Sequence, residues 1–421
     1  MTGYQRGELI VCSKPYAYAL GTEYRGLRCD HCFKKCNDLK RCSQCSFVYF
    51  CDKNCQTRGW GLHKLECKYI MNAKQKPLAS TRLISLVLLK VKKYGLDNPF
   101  EEVLGRKMSF GTLMSHSKNI IKDKKSYQLM LILMREISNY IGPANVPDPE
   151  EFAEAYGRMR VNGFSITDDN DSEVVGCGVY LGAAVFDHSC EPNAEVVFDG
   201  VNLYVRAKQD IPQRDINQVF VSYINQLQLT HSRQSALKEL YYFRCQCIRC
   251  TTSLYDDKML EVLIDGKEAE EQLKNIKEKL QNVKEQLKKL EKMVDQHASL
   301  SSIEEKCRKE IEIQDQILGK KNIYWIQTLV IAFNVCIKLK KWIDAISFGN
   351  LLTEPYRFYY GPYSRHLGIH LFKIGKIQLY YGSPTDAKDA LKQAENIMKV
   401  THGEQHFLYQ DLVKLLAEIQ K

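Results

Sequence analysis

Four closely spaced pairs of metal-binding residues constrain this chain more than any other feature. They are Cys29/Cys32, Cys42/Cys45, Cys51/Cys55 and His63/Cys67, eight side chains within thirty-nine residues. Each spacing lets two side chains grip one Zn²⁺, at about 2.3 Å for sulfur and about 2.0–2.1 Å for nitrogen. The segment is therefore predicted to hold two structural zinc ions. Spacing alone leaves open whether the pairs combine sequentially or in an interleaved order. Cys36 falls outside the pairs and is predicted not to be a zinc ligand.

A third zinc site is predicted much farther along the chain. Cys245, Cys247 and Cys250 form a three-thiol cluster that needs a fourth ligand to complete a tetrahedron. The candidate is Cys190, which lies in the segment 185–193 behind an apolar, Gly-rich run. A metal bound there ties together two segments more than fifty residues apart.

Size and composition favour an intracellular protein of two or three domains. The chain has 421 residues, of which 44% are hydrophobic, enough for sizeable cores. No apolar run approaches the ~20 residues that span a bilayer, and the first residues lack the apolar stretch of a signal peptide. We therefore expect the sixteen cysteines to be metal ligands rather than disulfides. Eleven thiolates and three Zn²⁺ would reduce the formal charge of +10 to about +5, which favours acidic partners only mildly.

The first half of the chain alternates between strand and helix patterns. The apolar segment 8–12 predicts a strand that must pair with a later one. Helices are predicted between 81 and 140, and another begins at Asp148-Pro149. A β-rich stretch starts at 161, with a hairpin over 194–206 that turns at Asp199-Gly200 and a further strand over 219–223. The apolar faces assigned to the two main helices are Leu83, Leu86, Val87 and Val91, and Leu129, Ile132, Leu133 and Ile137.

The last third of the chain is predicted to be helical throughout. A heptad pattern predicts a long helix that packs on a neighbour in the same chain or forms a dimer. Its apolar positions are Leu273, Ile276, Leu280, Val283, Leu287, Leu290 and Val294. Helix pairs over 325–339, 342–352, 368–381 and 385–400 follow, with the packing typical of tetratricopeptide-like repeats. Such arrays commonly offer a concave surface for peptides.

Several short motifs occur together and in one order. The zinc-binding segment precedes Asp-His-Ser-Cys-x-Pro-Asn (187–193), Val-Ser-Tyr (221–223) and Tyr-Phe-x-Cys-x-Cys-x2-Cys (242–250). Glu-Pro-Tyr-Arg (354–357) and Val-Thr-His-Gly (400–403) follow. In this combination the chain resembles the SET and MYND domain-containing (SMYD) protein-lysine methyltransferases over essentially its whole length. The segment 29–67 resembles their MYND zinc finger, which implies interleaved ligands. One zinc would then take Cys29, Cys32, Cys51 and Cys55, and the other Cys42, Cys45, His63 and Cys67.

The resemblance implies an α+β fold in which a SET β-fold core is split by the MYND zinc finger and a helical insert. An all-α, TPR-like C-terminal domain follows. The implied boundaries are 1–28 for the first part of the SET core, 29–67 for the finger and 68–160 for the insert. The rest of the SET core is 161–230, the post-SET zinc segment is 231–252, and the helical domain is 253–421 with the heptad helix at 266–297.

The activity implied by the resemblance is methyl transfer from S-adenosylmethionine to lysines of histones or other proteins. Tyr223 matches the tyrosine at the methyl-transfer point and is the candidate catalytic residue. Aromatic walls would favour loss of the lysine proton by desolvation and would attract the cationic side chain. The residues that match cofactor-contacting positions of the family are His116, Asn162, Asp187, His188, Tyr223 and Phe243.

Three departures from the family pattern bear on activity. The Gly-x-Gly turn that would hold the cofactor's methionine end is missing before residue 8, Asp187 stands where Asn is usual, and 214–218 replaces a Gly-Glu-Glu run. We expect either weakened cofactor binding or a start that lies farther upstream. The alternative function is a catalytically weak scaffold whose finger binds proline-rich peptides and whose helical domain binds chaperone-type tails. DNA contact through the finger has less support, although twelve Lys and Arg face four acids over 25–76. We expect a monomer that occurs in cytoplasm and nucleus.

Overall fold

The computed structural model describes residues 3–168, 170, 173–263 and 269–419, with side chains described outside 269–277. Its internal contacts divide the chain into two compact units. The first comprises Met1–Asp187, Asn193–Val221 and Leu237–Phe243, and the second comprises His188–Pro192, Ser222–Ala236 and Arg244–Lys421. Within the described ranges, no helix is long and apolar enough to cross a membrane.

Short antiparallel strands build the β structure of the first unit. Two three-stranded sheets have the orders β1-β11-β10 and β2-β8-β7, and β3-β4 and β5-β6 form two-stranded hairpins. The strands in the described residues are β1 (Leu9–Ser13), β2 (Ala17–Leu20), β3 (Lys40–Arg41), β4 (Tyr49–Phe50), β5 (Phe100–Val103), β6 (Arg106–Ser109), β7 (Gly163–Thr167), β8 (Val174–Val179), β9 (Asp187–His188), β10 (Ala194–Asp199), β11 (Asn202–Ala207) and β12 (Phe220–Val221).

Both early strands pair with strands from much later in the chain, as the sequence predicts for the first of them. Leu9 of β1 faces Arg206 of β11, and Ala17 of β2 faces Val179 of β8. The predicted β10–β11 hairpin is also confirmed, with Gly200 supplying the left-handed conformation of the turn at φ +58°. The strand predicted over 219–223 is shorter, because only Phe220–Val221 has strand geometry.

Five α-helices accompany these strands in the described part of the first unit. They are α1 (Lys53–Asn72), α2 (Ala79–Tyr94), α3 (Ser117–Lys122), α4 (Lys124–Ile141) and α5 (Pro149–Asn162). Helix α5 begins as predicted after Asp148, whose side chain accepts hydrogen bonds from the backbone of Glu150 and Glu151. The predicted face of α2 is confirmed, since Leu83, Leu86 and Val87 are buried in the core.

Two predictions for the helical insert are wrong in part. Ile137 of α4 is buried and Leu133 packs on the core as predicted, but Leu129 and Ile132 are 56% and 58% exposed, and the helix also buries Met130 and Ile141. The segment between α2 and α3 contains the β5–β6 hairpin, which the sequence does not reveal. Its turn places Leu104 and Gly105 at positive φ, where Asn-Gly or Asp-Gly would be the recognisable signal.

Helices dominate the second unit. In the described residues they are α6 (Thr230–Tyr241), which also reaches into the first unit, α7 (Ile248–Thr251), α8 (Asp256–Met259), α9 (Ala269–Asp295), α10 (Leu300–Ile317), α11 (Ile323–Lys338), α12 (Trp342–Tyr360), α13 (Arg365–Tyr381), α14 (Pro384–Thr401) and α15 (Phe407–Ile419). Consecutive helices from α9 to α15 pack on one another. This is the arrangement predicted for tetratricopeptide-like pairs, with α12 running well past the predicted end at 352.

The heptad helix α9 packs within its own chain. Val283, Leu287 and Leu290 are buried, and α9 contacts both α10 and α11. Val294 is 42% exposed, so the predicted seam ends before it. Leu273 and Ile276 lie outside the residues whose side chains are described.

Candidate metal centres and cofactor-binding residues

The first ligand cluster of the finger joins Cys29, Cys32, Cys51 and Cys55. Their sulfur atoms all lie within 4.8 Å of one another, and the Sγ atoms of Cys32 and Cys51 are 3.6 Å apart. A tetrahedral zinc with Zn–S bonds of about 2.3 Å separates its sulfurs by about 3.8 Å. Helix α1 fixes one ligand directly, because its N-cap Asp52 accepts a hydrogen bond from the backbone of Cys55. The cluster therefore has the donors and the size that Zn²⁺ requires.

The second cluster joins Cys42, Cys45, His63 and Cys67, again within 4.8 Å. The Sγ atoms of Cys42 and Cys67 are 3.9 Å apart, and Cys45 Sγ lies 3.5 Å from His63 Nε2. The other ring nitrogen, Nδ1, lies 3.4 Å from Oε1 of Glu66. A proton on Nδ1 donated to this carboxylate leaves the Nε2 lone pair free for a metal. The structure thus groups the finger ligands in the interleaved order, and Cys36 is in neither group.

A buried network of ion pairs joins Arg82 to Glu66 and Asp30, two carboxylates next to zinc ligands of the finger. Arg82 of α2 is 5% exposed, and its guanidinium donates to Glu66 through Nε at 3.1 Å and Nη2 at 2.7 Å. Its Nη1 donates to Asp30, between two zinc ligands, at 3.0 Å. Burial alone would raise the pKa of Glu66, but the Arg82 charge and the His63 hydrogen bond hold that pKa below its ordinary value. Arg82 therefore keeps the carboxylate that orients His63 ionised.

The third cluster lies entirely within the second unit. The sulfurs of Cys190, Cys245, Cys247 and Cys250 lie within 4.8 Å of one another, with Cys190 and Cys250 at 3.4 Å. Gln234 of α6 holds Cys245 by accepting from its backbone N–H at 3.0 Å and donating to its carbonyl at 2.9 Å. A disulfide would need an S–S distance of about 2.05 Å. All sixteen cysteines lie in described residues and are free of disulfides.

Two arginines beside this cluster match the charge of a metal-bound state. Arg233 and Arg249 are both 0% exposed, and in the described residues neither forms an ion pair with a carboxylate. Arg233 Nη2 lies 3.7 Å from Cys250 Sγ, and Arg249 Nη1 donates to the carbonyl of Cys190 at 3.3 Å. Zn²⁺ with four thiolates carries two negative charges. Two buried guanidiniums balance that charge and would otherwise lack a counter-ion, so the site fits a zinc tetrathiolate.

The third cluster positions His188 and Tyr223. The backbone N–H of Tyr223 donates to His188 Nδ1 at 3.0 Å, and the two rings are 5.2 Å apart. His188 Nε2 lies 3.3 Å from the sulfur of Cys190. Burial, with the Arg233 charge, lowers the pKa of His188 to about 4. A neutral ring that accepts at Nδ1 carries its proton on Nε2 and donates it toward Cys190. The same ring therefore links a metal ligand to the candidate catalytic tyrosine.

The candidate residues of the first unit lie around the ends of α3 and α5. His116 is in the left-handed region at φ +49°, and its ring is 5.2 Å from that of Tyr242, which is also left-handed at φ +61°. Tyr242 accepts a hydrogen bond at its hydroxyl from Arg160 Nη1 at 2.9 Å. Asn162 donates its amide hydrogens to the carbonyls of Met114 and Arg158, at 2.9 and 2.8 Å. Only the amide oxygen of Asn162 thus stays available to a ligand.

Asp187 and Phe243 complete the predicted residues of this unit. Asp187 is exposed at the start of β9, and Phe243 is half-buried just beyond α6. An exposed carboxylate and the amide oxygen of Asn162 are both hydrogen-bond acceptors, which suits an ammonium group. The His116, Tyr242 and Phe243 rings offer aromatic surface. These side chains thus offer the two kinds of group that S-adenosylmethionine requires, namely acceptors for its ammonium group and aromatic surface for its adenine.

Comparison with known proteins connects this geometry to a family. A family model described as "MYND finger" matches residues 29–67. Histone-lysine N-methyltransferase SMYD3 of Homo sapiens is 32% identical over 426 residues, which cover 99% of this chain and 94% of that protein. The chain belongs to the SMYD family. N-lysine methyltransferase SMYD2-A of Danio rerio is 29% identical, with 99% and 94% coverage, and SMYD2 of Homo sapiens is 29% identical, with 96% and 91% coverage.

Membership of the SMYD family confirms the predicted α+β class and its combination of a finger, a SET core and a helical C-terminal domain. It also supports zinc binding by the finger and by the third cluster. Sequence reasoning missed the groups that surround the candidate residues, namely Tyr242 beside His116, Arg233 and Arg249 beside the third cluster, and Arg82 behind the finger. Two had a visible signal, since Arg249 lies between zinc ligands and Tyr242 precedes Phe243 in the motif.

A further group of possible ligands in this SMYD chain is an ion-pair network. Glu304, Cys336 and Asp344 approach within 4.8 Å. Arg308 pairs with both carboxylates, and Lys341 Nζ lies 2.8 Å from Glu304. Because two cations already neutralise the carboxylates, this group does not favour a metal.

Proposed function

We propose that this protein is an S-adenosylmethionine-dependent protein-lysine N-methyltransferase that acts on histones or other proteins. The observation that carries the proposal is the hydrogen bond from Tyr223 to His188, beside a cysteine cluster that suits zinc. The relatives named as histone-lysine and N-lysine methyltransferases support the same activity. Tyr223 is the proposed catalytic residue.

The proposed zinc ligands are the members of the three clusters: Cys29, Cys32, Cys51 and Cys55; Cys42, Cys45, His63 and Cys67; and Cys190, Cys245, Cys247 and Cys250. The side chains proposed to contact the cofactor are His116, Asn162, Asp187, His188, Tyr223 and Phe243. Asn162 and Asp187 would accept hydrogen bonds from the ammonium group, and the Phe243 ring would pack against the adenine. Asp187 brings a negative charge where the family usually has a neutral amide, so it offers acceptors but no donor.

When bound, S-adenosylmethionine supplies a methyl group on a positively charged sulfur. The contribution of Tyr223 is positional. Its backbone N–H donates to His188, which in turn contacts Cys190, so the tyrosine is attached to the segment that carries the third cysteine cluster. A tyrosine hydroxyl is a weak base at neutral pH and instead orients a lysine amine by hydrogen bonding. Orientation of the amine is the main requirement for an in-line displacement.

The family resemblance also supports three proposals about location and partners. The protein would occur in cytoplasm and nucleus, and the finger would bind proline-rich peptides. It would act as a monomer, since α9 buries its apolar face within its own chain.

Isothermal titration with S-adenosylmethionine and a tritiated-methyl assay on histones test the proposal. We expect saturable cofactor binding, and Tyr223→Phe should lower turnover at least tenfold while the zinc content is unchanged. Tyr380→Phe is the matched control, because Tyr380 is 62% exposed on α13. Absence of cofactor binding at millimolar concentration, or equal turnover of the two variants, would contradict the proposal.

A further inference from the structure

A cleft of about 1260 Å³ lies within the first unit, where the β core, the zinc finger and the helical insert meet. Four cations line it, namely Lys14 from the connection between β1 and β2, Lys34 and Arg58 from the finger, and Lys90 from α2. Asp199, at the turn of the β10–β11 hairpin, is the one carboxylate in the described lining. The lining therefore has an excess of positive charge.

These four cations have no carboxylate partner in the part of the chain that the structure describes, since none of them forms an ion pair there. Other basic side chains of the same unit do form such pairs. Arg82 pairs with Glu66 and Asp30, and Lys208 pairs with Glu195. The cleft thus gathers basic side chains that the protein leaves without a counter-ion.

Lys90 differs from the other three cations because it is half-buried, whereas they are exposed. Its Nζ donates to the carbonyl of Tyr16 at 2.6 Å and lies 4.1 Å from the centre of the Tyr16 ring. Neither a carbonyl nor a ring neutralises the ammonium, and burial lowers the pKa of Lys90 to about 8. Because a buried charge without a counter-ion is costly, Lys90 independently points to an anion in the cleft.

The first metal cluster offsets part of the positive charge. Cys32 of that cluster also lines the cleft, and a zinc ion with four thiolates would carry two negative charges. Lys34 and Arg58 follow ligands of the cluster by two and three positions, so they can balance this charge. The other two cations then face a single carboxylate, and an excess of positive charge remains.

The size of the cleft and its aromatic side chains favour a peptide over other anions. Its volume exceeds the roughly 300–1,000 Å³ of small-molecule pockets, which suits a chain segment. A single-stranded nucleic acid would need open aromatic faces on which its bases stack. Tyr16 and Tyr18 are buried, and Tyr16 is already stacked on Phe110 at 5.4 Å. Tyr94 is more exposed, but Lys93 Nζ lies over its ring at 4.8 Å.

We propose that this cleft binds an acidic peptide segment, whose Glu or Asp carboxylates pair with Lys90 and Lys14. Ionised carboxylates are acceptors without donors, which suits a lining of ammonium and guanidinium groups. Such a ligand differs from the proline-rich peptides proposed for the finger, because charge and not a polyproline conformation selects it. The inference concerns binding alone and does not depend on methyl transfer.

The test uses the full chain and a fluorescein-labelled peptide, Gly-Glu-Glu repeated four times, in fluorescence anisotropy. A peptide with Lys in place of Glu and an oligothymidylate of twelve nucleotides are the comparisons. We expect the acidic peptide to bind most tightly, and its affinity to fall as salt rises from 50 to 300 mM, because screening weakens contacts of exposed charges. Lys14→Gln/Lys90→Met should raise its Kd about tenfold, in line with two partly exposed ion pairs.

The matched control is Lys124→Gln/Lys125→Met, which removes the same charge from exposed positions of α4 outside the lining. It should leave the Kd within twofold of the wild type. Thermal denaturation checks the folding of each variant, and Lys14→Glu gives a second test at an exposed position that does not disturb the core. Equal loss of binding in the control and cleft variants, unchanged binding in the cleft variants, or tighter binding of the basic peptide or the oligonucleotide would overturn the proposal.

Discussion

Nη2 of Arg82 lies 2.7 Å from Oε1 of Glu66, and this contact joins the helical insert to the zinc finger. Glu66 immediately precedes the ligand Cys67 and contacts the ligand His63, while the same guanidinium also reaches Asp30 beside Cys29. One side chain of α2 therefore supports both metal clusters. The finger and the insert should unfold together rather than as separate modules.

Arg82→Met should destabilise the finger by about 3–5 kcal/mol, because it leaves Glu66 and Asp30 buried without their cation. Trp60 lies on α1, so its fluorescence during urea denaturation reports the change. Arg58→Met is the matched control, because Arg58 is exposed on α1. Its replacement should lower the free energy of unfolding by less than about 0.5 kcal/mol. Equal stabilities of the two variants would show that the network contributes little.

Cys190→Ser should remove one of the three metal ions that the clusters can hold, as measured by elemental analysis of the purified protein. The loss follows because three remaining thiolates cannot complete the tetrahedron and the arginines beside them lose their counter-charge. Cys36→Ser, outside all clusters, should keep the full metal content. Unchanged zinc in Cys190→Ser would refute the site that joins 190 to 245–250.

Leu290→Ala should destabilise the helical domain by about 2–4 kcal/mol, since Leu290 is 0% exposed in the core below α9. Val294→Ala changes the next position of the heptad, where the side chain is 42% exposed, and should cost far less. Chemical denaturation followed by Trp325 and Trp342 fluorescence measures both. Similar costs at the two positions would argue that α9 does not pack as described.

His370 should make the helical domain sensitive to mild acid. Burial lowers its pKa to about 4, and its Nε2 donates to the carbonyl of Gly349 at 2.8 Å. With an unfolded pKa of about 6.5, the unfolded chain binds the proton more readily, so this contribution to stability is present above pH 6.5 and is lost as the pH falls toward 4. The stability of the wild type relative to His370→Gln should fall by about 2 kcal/mol from pH 7.5 to 5.

Denaturation curves at the two pH values measure this difference. His297→Asn is the control, because His297 is exposed and its replacement should leave the pH dependence as it is in the wild type. A gap between wild type and His370→Gln that does not change with pH would contradict the prediction.

The features that sequence predicts well are those coded by short spacings. Ligand pairs, the β10–β11 turn and the cap at Asp148 each depend on residues a few positions apart. The face of α4 is different, because positions 129–134 are all apolar and periodicity cannot choose among them. Only packing against the insert decides that Met130 goes inside and Ile132 stays outside.

The candidate site also has a part that the sequence predicts and a part that it does not. Its motif residues are visible in the sequence, whereas the groups that hold them come from elsewhere. Arg233 reaches Cys250 from another helix, and Arg160 reaches Tyr242 across eighty-two positions. Nothing local distinguishes these arginines from surface residues, because their role arises only when the chain brings a counter-charge or an aromatic ring to them.

The pairing of β1 with β11 has a consequence for synthesis on the ribosome. Leu9 leaves the ribosome almost two hundred residues before its partner Arg206. At about 5–20 residues per second, the strand waits on the order of 10–40 s with its backbone unpaired. The finger ligands all lie within 29–67, so its metal sites can close during that interval. The supply of zinc at this stage would determine how much of the nascent chain is already ordered when β1 pairs with β11.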